Sequence, residues 1–182
     1  MKPETKAYQS APEWTDFPDI ELYMDQVISV LEKHLSPYYT EEKGVTPTMI
    51  NNYVKQSLVP PPKGKRYDRG QVSRLFMICV LKSFMQLSDI ASLLDRLALD
   101  RDEEALYALF SREMDAALSA VYGESVSAPS PADPTENVLH AALMAFASIL
   151  YAGGVYRKAA AGWKDAPEQK KAEKKKEKKE KK

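Results

Sequence analysis

The sequence has one cysteine, Cys79, and two histidines, His34 and His140, in 182 residues. So small a supply of soft ligands excludes a disulfide framework, a zinc finger and a redox dithiol, each of which needs Cys or His in sets at defined spacing. No metal or cofactor is expected. Glycine is scarce too, seven in all, and none falls in the glycine-rich patterns that wrap a nucleotide phosphate. No Ser, His and Asp stand in an order that suggests a triad, so an enzyme is not expected and no catalytic residue is assigned. The opening MKPETKAYQSAPEW is polar and lacks the apolar centre of a signal peptide, so a cytoplasmic location is expected.

Charge is balanced in total, 26 basic residues against 26 acidic, yet unevenly spread. From Lys43 to Arg74, seven basic residues stand against Asp68 alone, and after Gln169 there are nine lysines and three glutamates. The remainder holds ten basic residues and twenty-two acidic. A neutral sum therefore conceals an acidic body with a basic island and a basic tail. Clustered cations suit a polyanion, because they release counterions from a phosphate backbone. Salt bridges within the protein are the alternative use of the same residues.

Within the island, residues 44–69 read GVTPTMINNYVKQSLVPPPKGKRYDR. Thr46 can cap a helix that starts at Pro47, where the missing N–H is no loss, and Val45 can staple onto Ile50. Met49, Ile50, Tyr53, Val54 and Leu58 recur at helical spacing and leave Thr48, Asn51, Asn52 and Lys55 on the opposite stripe. Asn pairs bidentately with adenine, Lys with guanine, and Thr meets a base edge or a thymine methyl, so the stripe has base-reading chemistry. An ordinary solvated helix face has the same polarity. Pro60, Pro61 and Pro62 stop the helix, and the Lys63-Gly64-Lys65 turn then holds its cations in solvent.

The order TPTMINNYVK, the LVPPP run, Arg66-Tyr67, the apolar helix from Val72 and the segment LSDIASLL at 87–94 resemble the DNA-binding domain of MerR-type regulators. TPTMINNYVKQSLVPPP also resembles an uncharacterised bacterial family known only as domain of unknown function 1836. The MerR-type resemblance covers about fifty residues and implies a recognition helix at 47–57 in the major groove and a basic wing at 60–67 on phosphate. It would place Thr48, Asn51, Asn52, Lys55, Lys63, Lys65, Arg66, Tyr67 and Arg69 at nucleic acid. Where such regulators carry Arg and Gly, this chain has Asn52 and Ser57, and its wing differs in length.

The expected fold is all-α: a MerR-like winged helix-turn-helix, its wing no more than a minimal β-hairpin, followed by C-terminal helices. Residues 1–18 read as a flexible arm on which Trp14 and Phe17 can tuck inward. Residues 19–98 form the winged domain. Its scaffold helix begins near Ile20 and carries Ile20, Tyr23, Met24, Val27, Ile28, Leu31 and Leu35 at helical spacing, with His34 in a capping or surface role on the last turn. Segment 36–45 is longer than a tight turn. Asp68 and Gln71 make a capping-box signal for a helix whose run LFMICVL, at 75–81, marks the core and makes Cys79 an inert thiol. Ser88 is expected to cap a helix with Ile90, Leu93, Leu94 and Leu97 inward.

Residues 99–163 read as a dimerisation or effector region. One helix spans about 102–122 on Leu106, Leu109, Phe110, Met114, Ala117, Leu118 and Val121, and a Ser/Pro/Ala linker follows at 124–134. Residues 138–156 carry no charge except at His140, which raises a membrane span as one use and a buried or dimer-forming helix as another. Residues 164–182 read as a disordered Lys/Glu tail. The expectation is a sequence-specific transcriptional regulator that binds double-stranded DNA as a homodimer, with an effector the sequence does not name and no membrane partner. The alternatives are a non-catalytic protein-interaction module on a winged-helix fold and a regulator tethered to a membrane through 138–156.

Overall fold

The computed structural model describes residues 8–38, 44–123 and 131–180, with side chains described as far as Ala160. The chain is all-α. After a 3-10 turn at Trp14–Asp16 come α1 (Met24–Leu35), α2 (Pro47–Lys55), α3 (Arg69–Leu81), α4 (Leu87–Leu97), α5 (Glu103–Val121) and α6 (Pro134–Glu180). Among the described residues no strand forms; there are isolated bridges between Leu22 and Tyr67 and between Lys63 and Arg66. Two compact units divide the chain, Met1–Ser148 and Ile149–Lys182. The boundary expected at 98/99 thus falls inside the first unit.

The core forms around α3. Asp68 Oδ1 accepts from the Gln71 N–H, and Gln71 Oε1 accepts from the Asp68 N–H, both at 2.9 Å, which is the reciprocal cap the sequence signals. Every residue from Gln71 to Leu81 is buried, Cys79 among them. A helix apolar on all sides needs neighbours on all sides, and α1 and α5 both pack on it. Each Leu, Ile, Val, Phe or Met withdrawn from water here contributes about 1.5–3 kcal/mol relative to exposure.

The segment expected as an arm is anchored from residue 10 onward. Phe17 is fully buried, its ring 5.1 Å edge-on from Tyr107 and 5.9 Å from Phe76. The Tyr107 hydroxyl donates to the Pro12 carbonyl at 2.7 Å, the Ala11 N–H donates to Asp115 at 2.7 Å, and the Tyr38 hydroxyl donates to the Ser10 carbonyl at 2.6 Å. Side chains 28, 95 and 104 residues away satisfy this backbone, which frees it from needing local secondary structure.

Helix α1 starts at Met24, four residues later than the apolar spacing suggests. Ile20 and Tyr23 are exposed, while Leu22 exchanges backbone hydrogen bonds with Tyr67 at 2.8 and 2.9 Å. Val27, Leu31 and Leu35 form its buried face, and Met24 and Ile28 of the expected stripe are only half-buried. In α4 the inward residues are Ile90, Leu93, Leu94 and Leu97, but Ser88 is not the cap; Gln86 holds that position with no side-chain bond. Asp102 caps α5 by accepting from the Ala105 N–H at 2.8 Å.

In the first unit, α6 buries Leu139, His140, Leu143, Phe146 and Ala147. His140 Nδ1 lies 3.0 Å from Glu113 Oε2, and Arg101 donates to Glu136 at 2.6 Å. By length and composition alone, Pro134–Ala160 is the one described stretch able to cross a membrane. The helix runs on to Glu180, so 164–180 is helical where disorder was expected; its Ala, Lys, Glu and Gln residues are strong helix formers.

Candidate nucleic-acid interface

Helix α2 is held by its start and by one face. The Thr46 hydroxyl accepts from the Met49 N–H at 3.2 Å, and Pro47 takes the first position. Just upstream, Gly44 passes so near α1 that a Cβ would meet Glu32 Oε1 at 2.6 Å. Ile50 and Tyr53 are fully buried, and Met49 and Val54 half-buried, against α1 and the core. Thr48, Asn51, Asn52 and Lys55 are all exposed, so the structure brings these four together on one outer stripe. Asn52 Oδ1 accepts from Gln56 Nε2 at 3.0 Å.

The chain leaves α2 through Ser57, whose φ of 60° is left-handed and suits glycine. Leu58 and Val59 are buried and the proline run follows. The expected wing is a two-residue turn: Gly64 and Lys65 have φ of 56° and 63°, and the Arg66 N–H donates to the Lys63 carbonyl at 3.0 Å. Positive φ at both central positions is what a tight hairpin demands. Lys63 and Lys65 are exposed and make no ion pair among the described residues.

The other expected contacts are placed differently. Arg66 is exposed but lies 3.5 Å from Glu21 and above the Tyr23 ring. Arg69 is half-buried, 3.7 Å from Asp19 and over the Trp14 ring. Tyr67 is 2% exposed, because its pairing with Leu22 turns the ring into the core. It belongs to the scaffold, not to the contact surface.

Arg74, counted with the basic island in the sequence, is also interior. Its Nε donates to the Leu58 carbonyl at 2.7 Å, while its terminal nitrogens meet Asp95 at 2.8 Å and Glu103 at 3.3 Å. One guanidinium thus joins the exit of α2 to α4 and α5. Burial raises the Glu103 carboxyl above its usual range, and the Arg74 charge acts against that shift. Gly70 lets α3 start against Glu103; a Cβ there would sit 3.1 Å from Glu103 Cγ. Glu103, Glu21, Asp68, Lys63 and Arg66 share a shallow cleft of about 220 Å³ with Pro60, Pro61 and Gln71. Sequence reasoning also passed over Lys82, whose Nζ stands 5.4 Å from the Tyr53 ring centroid beside α2. Nothing local distinguishes that lysine. Among the described residues no group of three or more Cys, His, Asp or Glu could hold a metal ion.

These features define an all-α protein with a short capped helix, polar on its outer face, that ends in a proline brake and a basic turn. A family model described as Domain of unknown function (DUF1836) matches residues 12–112, more than half of the chain, and the protein belongs to that family. No curated protein and no solved structure matches it.

Proposed function

We propose that this protein is a sequence-specific DNA-binding transcriptional regulator of MerR-like type that acts as a cytoplasmic homodimer. In this reading α2 enters the major groove, Asn51, Asn52, Thr48 and Lys55 meet base edges, and the Lys63–Lys65 turn rests on phosphate. The observation that carries it is the four-residue stripe of α2, wholly exposed while the opposite face is buried, followed at once by two solvent-held lysines. Lys65 adds support. A lysine in left-handed backbone is a position where glycine is easier, and strain of this kind is kept where a side chain has work to do. Arg66 is a third, ion-paired cation at the same turn. No catalytic chemistry is part of the proposal.

A second reading is a protein-interaction module on the same scaffold. It is favoured by the acids that Arg66, Arg69 and Arg74 already face, since Glu21, Asp19, Asp95 and Glu103 spend much of the basic island internally. Fluorescence anisotropy with duplex DNA over a salt series separates the two. The regulator loses affinity steeply with salt, by a slope of about 0.9 per phosphate contact. An interaction module binds no duplex at low salt once the lysine tail is competed by heparin.

A further inference from the structure

The cleft of about 220 Å³ beside the basic turn has a proline wall, Pro60 and Pro61, and takes Glu103 from the start of α5. It is smaller than the roughly 300–1,000 Å³ of a drug-sized pocket, so it suits a compact metabolite. Its lining carries both signs of charge, Glu21, Asp68 and Glu103 against Lys63 and Arg66. Arg66 is held by Glu21 at 3.5 Å. Lys63, exposed, makes no ion pair among the described residues.

Glu103 is satisfied at one oxygen only. Its Oε1 accepts from Arg74 Nη1 at 3.3 Å, whereas its Oε2 is buried with no hydrogen-bond partner among the described residues. Gln71 is not available to it, because Gln71 Oε1 accepts from the Asp68 N–H and Gln71 Nε2 donates to the Pro60 carbonyl. Burial raises the Glu103 carboxyl, the Arg74 charge opposes that shift, and the Asp68 charge adds to it. Two carboxylates that feel each other, one of them with an oxygen lacking a donor, call for a cation with N–H groups to give. The terminal carboxyl torsion is broad, so a small turn brings Oε2 into the cleft.

We propose that this cleft binds a small zwitterion of the amino-acid kind, its ammonium on Glu103 and Asp68 and its carboxylate on Lys63. A plain amine would meet Lys63 and Arg66 with like charge, and a plain carboxylate would meet three acids. A molecule with both charges answers both sets at once. The Gln71 bond to Pro60 ties the proline wall to α3, so the site is formed before the ligand arrives and little ordering cost attends binding. The site shares Lys63 with the turn proposed to rest on phosphate, yet binding needs no DNA.

The test is isothermal titration calorimetry of the full chain without DNA. The probes are glycine, β-alanine, γ-aminobutyrate and ε-aminocaproate, which set the two charges progressively further apart. One of them is expected to bind with a Kd of about 1 mM or tighter, and the alkylamine and the carboxylate of matching length about tenfold more weakly or worse. Lys63→Met alters an exposed side chain, should keep the wild-type circular dichroism, and should remove the advantage of the zwitterion over the amine. Asp68→Asn keeps the helix cap, since Asn caps as well as Asp, and should weaken the zwitterion about tenfold. No binding by any of the four probes would overturn the inference. So would an amine or a carboxylate that binds as tightly as the zwitterion, or binding indifferent to both substitutions. With no duplex present, failure of the DNA-binding reading leaves this result unaffected, and the reverse also holds.

Discussion

Arg74 Nε donates to the Leu58 carbonyl at 2.7 Å, a bond that fixes the residue leaving α2 to the most buried helix of the protein. The same side chain, 8% exposed, reaches Asp95 and Glu103. The exit of α2 is therefore held from beneath by one charged group. Removing it, as in Arg74→Met, leaves a buried carbonyl and a partly buried carboxylate without their donor. We expect a loss of about 2–3 kcal/mol, below the 3–5 of a fully buried pair because Asp95 is largely in water. Urea denaturation reads this as a lower midpoint at unchanged slope; an unchanged midpoint would mean that Arg74 holds nothing.

Under the regulator reading, Lys63→Ala with Lys65→Ala should reduce the slope of log affinity against log salt by about 0.9 per lost contact in each protomer, with sequence choice unaltered. Asn52→Ala should act in the opposite way. It should relax the preference at one base pair, at a cost of about 1–3 kcal/mol, and leave the salt slope as it was. Anisotropy titrations on matched and mismatched duplexes distinguish the two patterns.

Ser57 holds a φ of 60° at the end of α2. A side chain there costs about 1 kcal/mol that glycine avoids, part of which glycine returns as unfolded-state entropy. Ser57→Gly should raise stability by roughly 0.5 kcal/mol and leave DNA affinity alone. Thermal denaturation checks the first expectation, and a lowered midpoint would argue against the left-handed exit.

Stability should plateau between about pH 6.5 and about pH 10. Burial, then the Lys33 charge, holds the His34 imidazole below its ordinary value. As pH falls, the unfolded chain takes that proton first, so the contribution of neutral His34 is full above its unfolded value and is lost on acidification through the folded one. Burial pushes the phenols of Tyr38, Tyr53, Tyr67 and Tyr107 upward. The unfolded chain loses those protons first, so their contribution is full below about pH 10 and declines as pH rises further. Denaturation midpoints across this range test both limbs. His34→Gln should flatten the slope just below pH 6.5; persistence of that slope would assign it to another group.

Much of the fold was legible because its signals are local. Thr46 and Pro47, Asp68 with Gln71, and the spacings of α4 and α5 each act within one or two helical turns, and each is found where expected. Apart from the Ser88 cap, a local signal whose place Gln86 takes, the failures involve partners far along the chain. Arg74 was counted with the basic island because Asp95 and Glu103 lie 21 and 29 residues away; its place between Val72 and the run from Leu75 was the available clue. Ala11 and Pro12 read as a loose arm because Asp115 and Tyr107 complete their hydrogen bonds. Tyr67 read as a contact residue because its pairing with Leu22 is invisible without the fold. In the candidate site, the exposure of Thr48, Asn51, Asn52 and Lys55 followed from helical period alone. The ion pairs that occupy Arg66 and Arg69 did not.

The proposed regulator stands on base reading by α2. Selection of the full chain on a random-sequence duplex pool, repeated at low and high salt and in parallel with Asn51→Ala and Asn52→Ala, tests it most directly. Base reading by α2 predicts enrichment of one two-fold symmetric motif that survives high salt and degrades at a single position of each half-site in each Asn variant. Retention of DNA without any enriched motif, or a motif indifferent to both asparagines, would contradict it.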